Sequence, residues 1–370
     1  MLTGKNPLRD WNRHNWIPGT DDARNAGQPV CGPFFFVVWQ FRGDMEYFTN
    51  YLFLEHFGSL FCCPWCQANV FDDDDDVRCA LWDVVARPWN DFGRNPRWLE
   101  SCWGSMDEWL ACHGGIEKVH PIFMLLGVTI FTIMADSLHI MELGVVHRVI
   151  GNVLFHVAFT PELIVGASPT MRLEALWRRI LTRYSELRTP SQLGNLTMAM
   201  FCNETSPAAS QPVLSTRVKA AESRYLVAIL ADLFPTLARP GNLIDAHIEA
   251  LLNSIKEYYV CLECTAPILP IRTQQLLEAA VWSMVRHCNA LQIWALREGL
   301  NRWSMTIKHH YAVHIALQSR YANPRMSWTY VDEDFMSLLK EIGDGTPPHM
   351  VVNKTCEKYV LGMDLRASLE

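Results

Sequence analysis

Two aspartates stand near the ends of apolar, β-branched runs, where a carboxylate could either bind a metal ion or cap a helix. Asp44 follows the run FFFVVWQF at 34–41, and Asp136 follows VTIFTIM at 128–134. A carboxylate beside an apolar core costs free energy unless it is hydrogen-bonded, solvated or bound to a cation. Divalent ions prefer such hard oxygen ligands, whereas a helix N-cap uses the same oxygens to accept backbone N–H groups. The residues alone therefore leave metal ligation and capping as alternatives.

Cys63 and Cys66 have the spacing of half a zinc site. A thiolate pair needs two further ligands to complete a tetrahedron, and no other segment of the sequence is an obvious second half. The candidates for that half are Cys112, His113, His120 and the pair Cys261 and Cys264. The alternative is that Cys63 and Cys66 are buried, reduced thiols that hold no metal.

Three histidines lie on a helix predicted at 306–320, namely His309, His310 and His314. His310 and His314 share one face of that helix because they are four residues apart. The metalloprotease pattern is absent, since no glutamate directly follows the first histidine of the pair. Composition alone therefore indicates ordinary surface or core histidines.

A second helix, predicted to begin at Ser168-Pro169, carries arginines along one side. Guanidinium groups contact phosphate, and neighbouring aromatic rings can stack on bases. An ordinary solvated helix face would give the same pattern. The residues concerned are Arg178, Arg179, Arg183 and Arg188, beside Trp177 and Tyr184.

The charge and the cysteine usage limit the classes of partner and compartment. The net charge is −7, so a nucleic-acid partner would need a local basic groove. The acidic run at 72–76 is either a solvated loop or a trap for a divalent ion. Twelve cysteines without the dense spacing of a secreted scaffold indicate an intracellular, reducing compartment. The apolar run at 121–134 falls short of the roughly 20 residues that cross a bilayer, so we expect no membrane partner.

Hydrophobic periodicity divides the chain into four predicted regions. These are an irregular arm at 1–30, strands with a Cys- and Trp-rich insertion at 31–160, a mostly helical stretch at 161–305, and C-terminal helices at 306–370. The tryptophan-rich stretch has no helical or alternating period, so we expect it to pack by burying its indoles. Further helices are predicted at 217–237, 243–263, 272–300 and 331–342.

Two segments resemble conserved elements of DDE transposases of the CACTA-type group and its relatives. The sequence DSLH at 136–139, followed by MELGVV, looks like the D-x-M-H element of that group, in which the aspartate and histidine precede a helix. The sequence KHHYAVH at 308–314 is similar to the K-x-H-x-x-x-H helix of the same group.

A third segment carries the most specific match. The sequence WTYVDEDFM at 328–336, with Leu339-Lys340, is similar to the W-x-Y-x-x-E-x-x-M-x-x-L-K helix and places Glu333 at its acidic position. A weaker fourth match joins Asp44, at the end of a strand, to the C-P-x-C pair at 63–66. The four matches keep the family order along the chain.

The resemblance implies an α+β or α/β fold, namely an RNase H-like mixed-sheet core with a large, mostly helical insertion. Asp44, Asp136 and Glu333 would hold two Mg²⁺ or Mn²⁺ ions, about 4 Å apart, that catalyse DNA phosphodiester hydrolysis and strand transfer. The partner would be the DNA of transposon ends in the nucleus, and an oligomer is compatible with this function. The DNA-binding candidates are His139, Lys308, His310, His314, Arg178 and Arg179.

The position of the first acid departs from the family pattern and leaves a second function open. Such cores normally place a β-meander and a helix between the first acidic strand and the second acid, whereas only 43 residues precede Asp44. If Asp44 corresponds to the second acid, the first is missing. The alternative is therefore an inactive remnant, or a domesticated module that binds DNA or protein with an incomplete acid cluster.

Overall fold

The computed structural model describes most of the chain. The acidic run at 72–76 and residues 34–37 and 39 of the first apolar run lie outside the described part, as do the side chains of Val331 and Glu333. The described residues are 5–9, 13–29, 38, 40–70, 87–125, 127–203, 211–344, 346–347, 350–351 and 354–359.

Helices dominate the described residues, and two short strands accompany them. The strands are β1 (Phe41–Gly43) and β2 (Ile133–Ala135). The α-helices are α1 (Asp21–Asn25), α2 (Met45–Leu52), α3 (Arg97–Glu100), α4 (Met106–Cys112), α5 (His147–Phe159), α6 (Pro169–Leu187), α7 (Ala220–Leu233), α8 (Leu243–Leu262), α9 (Ile271–Arg297), α10 (Ile307–Gln318) and α11 (Tyr330–Gly343). A π-helix, Leu138–Val146, leads directly into α5.

The chain divides into two compact units. The first consists of Met1–Ala135 with Met305–His314, and the second of Asp136–Ser304 with Ile315–Glu370. The division falls at Ala135, whereas the sequence pattern placed a boundary near 160. The difference arises because the π-helix and α5 pack with α6 and α7 in the second unit.

The first unit contains a parallel pair of strands, β1 and β2. Phe41 pairs with Ile133 and Gly43 with Ala135. The predicted strand at 128–134 is shorter than expected, because residues 130–132 form a 3-10 turn. The Thr132 hydroxyl accepts from the Thr129 amide at 3.1 Å and donates to the Thr129 carbonyl at 2.7 Å, which closes that turn. This two-stranded sheet neither establishes nor excludes the predicted RNase H-like core.

The tryptophan-rich part of the first unit packs by indole burial, as predicted. Trp65, Trp98 and Trp103 are buried, and each indole N–H donates to a backbone carbonyl. The acceptors are the carbonyls of Ile133 at 3.0 Å, Asp91 at 2.7 Å and Pro64 at 2.9 Å, respectively. These bonds tie an irregular backbone to its own core without a regular ladder.

The second unit is a helical assembly in which the predicted helices are confirmed. Ser168 caps α6 by accepting from the Met171 amide at 3.2 Å, and Pro169 occupies the first turn. Asn242 caps α8 in the same way. A 3-10 turn, Met198–Met200, lies between α6 and α7.

One helical span is apolar and long enough to meet the length and composition test for crossing a membrane. It is Leu138–Phe159, and 89% of its most apolar window is buried inside the protein. Core helices of globular proteins pass the same test, so this span is weak evidence for a membrane segment. Among the described residues, no other helix meets the criteria.

The packing of α5 generates a stability prediction at Gly151. A Cβ atom at Gly151 would lie 2.7–2.9 Å from the backbone of Val213 and Leu214. Gly151→Ala should therefore destabilise the protein by about 1–3 kcal/mol through overpacking. Gly194→Ala is the matched control, because nothing lies within 4 Å of its added methyl group. Urea unfolding of both variants measures the difference, and equal stabilities would contradict the close packing of α5.

Candidate metal centre

Four buried side chains converge in the first unit, namely Cys63, Cys66, His310 and His314. Their candidate ligand atoms all lie within 4.8 Å of one another. The Cys66 Sγ lies 3.4 Å from the His310 Nε2, which in turn lies 3.2 Å from the His314 Nε2. Two segments that are 244 positions apart in the sequence therefore meet at one point.

The turn that carries the two cysteines is held by backbone bonds on both sides of the pair. The Cys62 amide donates to the Ala68 carbonyl at 3.1 Å, and the Ala68 amide donates to the Cys66 Sγ at 3.4 Å. An N–H group directed at sulfur favours the thiolate, the form that ligates a metal. The turn thus orients the thiols before any ion is bound.

Helix α10 presents the two histidines in a defined orientation. The Nδ1 of His310 lies 3.2 Å from the Trp89 carbonyl, an acceptor, so Nδ1 carries the proton and Nε2 is left as a ligand atom. The Tyr311 hydroxyl donates to the Cys62 carbonyl at 2.6 Å, which joins α10 to the cysteine turn. Helical spacing then brings His314 onto the same face as His310.

Indole rings enclose the cluster and exclude water. The Trp98 ring lies 4.2 Å from the His310 ring, and the Trp65 ring lies 5.5 Å from the His314 ring. Burial raises the pKa of the Cys66 thiol well above its usual range and lowers the pKa of His310 well below it. Without a metal, the cluster is therefore electrically neutral, with protonated thiols and neutral imidazoles.

The donor set suits a metal such as zinc. Two thiolates and two neutral imidazoles are a common tetrahedral zinc set, and their charge of −2 balances a divalent cation. A neutral complex is the form that tolerates full burial. The four residues could therefore hold a metal ion, whereas nothing in their geometry favours Mg²⁺ or Mn²⁺, which prefer oxygen ligands.

The second half of this site differs from the candidates that the cysteine spacing suggested. His113 instead contacts Glu55 and the Trp109 carbonyl, and His120 accepts from the Ile122 amide. Neither belongs to the cluster, and Cys112, Cys261 and Cys264 are also outside it. The signal in the sequence was the i, i+4 spacing of His310 and His314, which matches the ligand spacing of a Cys2His2 site.

Asp136 is buried in the second unit and accepts several hydrogen bonds. Its Oδ1 accepts from the Leu138 amide at 2.9 Å, and its Oδ2 accepts from the His139 amide at 3.1 Å. The Oδ2 also lies 2.5 Å from the His139 Nδ1 and accepts from the Thr329 hydroxyl at 3.0 Å. The capping role considered for this residue is therefore realised, and Oδ1 keeps capacity for a further contact.

Asp44 also caps a helix, in the first unit. Its Oδ1 accepts from the Tyr47 amide at 2.6 Å, at the start of α2. Along the chain, Asp44 directly follows Gly43 and Asp136 directly follows Ala135, and these two residues are partners in the parallel strand pair. Capping accounts for the position of each aspartate without testing its predicted role as a metal ligand.

The remaining predicted site residues lie at separate places. Glu333 belongs to the first turn of α11, four residues after Thr329, but its side chain lies outside the described part. Lys308 is half-buried on α10, and Arg178 and Arg179 are exposed on α6. The predicted DNA contacts of these residues, and of His139, remain predictions, while His310 and His314 are buried in the cluster with Cys63 and Cys66.

Glu142 is a buried acid that the sequence pattern did not single out. It lies on the π-helix, and neither of its carboxyl oxygens has a hydrogen-bond partner among the described residues. Burial raises its pKa to about 8, and the Asp136 carboxylate adds to this effect. The hydroxyls of Tyr259 and Tyr330 are also buried and have no hydrogen-bond partner in the described part of the chain. A neutral carboxylic acid thus lies near Asp136 in the core of the second unit.

Known proteins provide no relative from which a function could be transferred. No protein-family model matches the sequence, and no curated protein or solved structure is significantly similar to the chain. Function is therefore inferred from the residues and their geometry, and the resemblance to DDE transposases stays a prediction from sequence motifs.

The burial of Glu142 predicts a pH dependence of stability. The pKa rises from 4.5 to about 8 on folding, so between these values the folded protein keeps a proton that the unfolded chain has lost. The contribution of Glu142 to the free energy of unfolding is fully present below pH 4.5. It is lost as the pH rises through about 8, at up to about 1.4 kcal/mol per pH unit. Glu142→Gln should remove this loss and be more stable than the wild type in alkali.

The measurement is urea unfolding of the wild type and Glu142→Gln at about pH 5 and about pH 9. These two values enclose most of the pH range over which Glu142 is expected to lower the stability. Glu174→Gln serves as the control, because Glu174 is exposed on α6. If Glu142→Gln had the same pH dependence as the wild type, Glu142 would not be the group that titrates.

Proposed function

We propose that the protein is transposase-derived, that its Cys/His cluster holds zinc, and that its ancestral reaction is metal-dependent hydrolysis and strand transfer of DNA. The observation that carries this proposal is the hydrogen bond from the Thr329 hydroxyl to the Asp136 Oδ2 at 3.0 Å. It brings the start of the helix that carries Glu333 to Asp136, within one unit. The proposed two-ion reaction requires Asp136 and Glu333 to lie close together.

The cysteine and histidine segments give a second line of support. The C-P-x-C pair and the K-x-H-x-x-x-H helix both belong to the transposase resemblance, and the cluster joins them in space. The D-x-M-H element and the helix of Glu333 are joined in the same way through Asp136 and Thr329. If the four motif matches were due to chance, we would not expect them to meet in space as two pairs of contacting segments.

In the proposed reaction, Asp44, Asp136 and Glu333 would hold Mg²⁺ or Mn²⁺. Such ions would supply activation of the attacking hydroxyl and stabilisation of the leaving oxygen of the phosphodiester. The His139 imidazole orients the Asp136 carboxylate through the short contact at 2.5 Å. Basic side chains, among them Arg178 and Arg179, contact the DNA backbone.

A specific observation favours the second candidate function, a domesticated binding module without catalysis. The carboxylates of Asp44 and Asp136 each cap the start of a helix, and Asp136 accepts four hydrogen bonds from its own unit. A chain that had lost catalysis would retain both aspartates for this structural reason. In that case the protein binds DNA or another protein and the zinc cluster maintains its fold.

A DNA cleavage assay distinguishes the transposase from the binding module. The substrate is a DNA duplex that carries the transposon ends, and the assay contains Mg²⁺ or Mn²⁺. The wild type should cleave, and Asp136→Asn should not, because an amide cannot supply the negative charge that the ions need. Asp107→Asn is the control, since Asp107 is an exposed acid in the first turn of α4. Cleavage by Asp136→Asn at the wild-type rate would exclude Asp136 from the site, and no cleavage by either protein would favour the binding module.

Zinc binding is tested separately from catalysis. The purified protein should contain about one zinc ion per chain, and chelation should lower its melting temperature because a metal that binds the folded state stabilises it. Cys63→Ser should lose the metal, whereas Cys112→Ser should retain it because Cys112 is outside the cluster. The measurements are elemental analysis and thermal unfolding, and an equal zinc content in both variants would refute the assignment.

A further inference from the structure

Cys102 faces Cys66 across a short antiparallel bridge in the first unit. The Gln67 amide donates to the Ser101 carbonyl at 3.2 Å, and the Trp103 amide donates to the Trp65 carbonyl at 3.3 Å. These two bonds flank the cysteines on either side, so Cys66 and Cys102 form the non-hydrogen-bonded type of cross-strand pair. In such a pair the Cα atoms are about 4.5 Å apart and the side chains are close together.

This geometry fits a disulfide bond. Disulfides join residues whose Cα atoms are about 4.4–6.8 Å apart, and the spacing typical of this type of pair falls in that range. The two thiols already interact through a side-chain hydrogen bond. Cys102 is not one of the four residues of the metal cluster, and it therefore adds a third sulfur beside that cluster.

The two sulfurs also differ in their access to solvent. Cys66 is fully buried, whereas Cys102 is partly exposed. A small oxidant in solvent therefore reaches the Cys102 thiol before the buried Cys66 thiol.

We propose that Cys66 and Cys102 are an oxidation site at which a peroxide forms a disulfide and thereby releases the metal. The Cys102 thiol gives up its proton and its sulfur attacks the peroxide, the O–O bond breaks, and a sulfenic acid and hydroxide form. The hydroxide takes up the released proton to become water. The Cys66 sulfur then attacks the sulfenic sulfur, the S–S bond forms, and hydroxide leaves and takes up a proton to become water. Two thiols and one hydrogen peroxide thus give one disulfide and two waters.

The disulfide removes one of the four metal ligands. Cys63, His310 and His314 remain, and a structural zinc site needs four protein ligands. The metal is therefore released when Cys66 is oxidised, and reduction of the disulfide restores the site. This consequence rests on the proposed zinc binding, whereas formation of the disulfide itself depends on the cross-strand geometry alone.

The test uses the full-length, zinc-loaded protein and hydrogen peroxide. A zinc-sensitive dye should report release of the metal, and mass spectrometry of the non-reduced digest should identify a Cys66–Cys102 disulfide. Reduction with dithiothreitol should restore zinc binding. Cys102→Ser should bind zinc as the wild type does but lose the peroxide-triggered release over the same time, and Cys112→Ser should behave as the wild type.

Two results would overturn the proposal. One is a Cys63–Cys66 disulfide in the oxidised wild type, and the other is release from Cys102→Ser at the wild-type rate. If the reduced protein held no zinc, the proposed metal site would fail, but mass spectrometry would still decide whether peroxide links Cys66 to Cys102. The failure of the metal site and the failure of the oxidation site are therefore distinguishable.

Discussion

The convergence of a cysteine turn and a histidine helix is the constraint on which the first unit depends. Bringing together segments that are 244 positions apart costs conformational entropy, which grows slowly with the length of the loop. Little regular secondary structure offsets that cost, because the described part of this unit has short helices and a two-stranded sheet. A metal bound at four side chains would supply folding free energy directly. Buried indoles add apolar contact around the same point.

The second unit is stabilised differently, since its long helices bury a continuous apolar surface. Asp136 and Glu142 are two of the polar side chains buried in that core, and their hydrogen bonding differs. Asp136 accepts four hydrogen bonds, whereas Glu142 accepts none from the described residues and holds its proton. Glu142 lies on the π-helix, and π-helical turns are often found at functional sites.

Helix capping and metal ligation need not be alternatives for a strand-end aspartate. A carboxylate has about four acceptor positions, and a cap uses part of that capacity. Hydrogen bonds from amides also fix the direction in which the remaining lone pairs point, and such support positions metal ligands in general. The capping seen at Asp44 and Asp136 is therefore compatible with both functions considered for the chain.

The sequence alone determined the local elements, and tertiary structure decided which of them meet. The helices α6 to α11 follow from apolar periodicity and caps such as Ser168, because these are short-range signals. Each half of the metal cluster was visible as a spacing, but their pairing was not, since nothing in a sequence records contacts over more than 200 positions. Glu142 gave no signal either, because burial of an acid depends on neighbours from distant segments. The length of β2 was misjudged because the Thr132 hydroxyl competes with the strand for backbone hydrogen bonds, and only the folded chain shows which partner prevails.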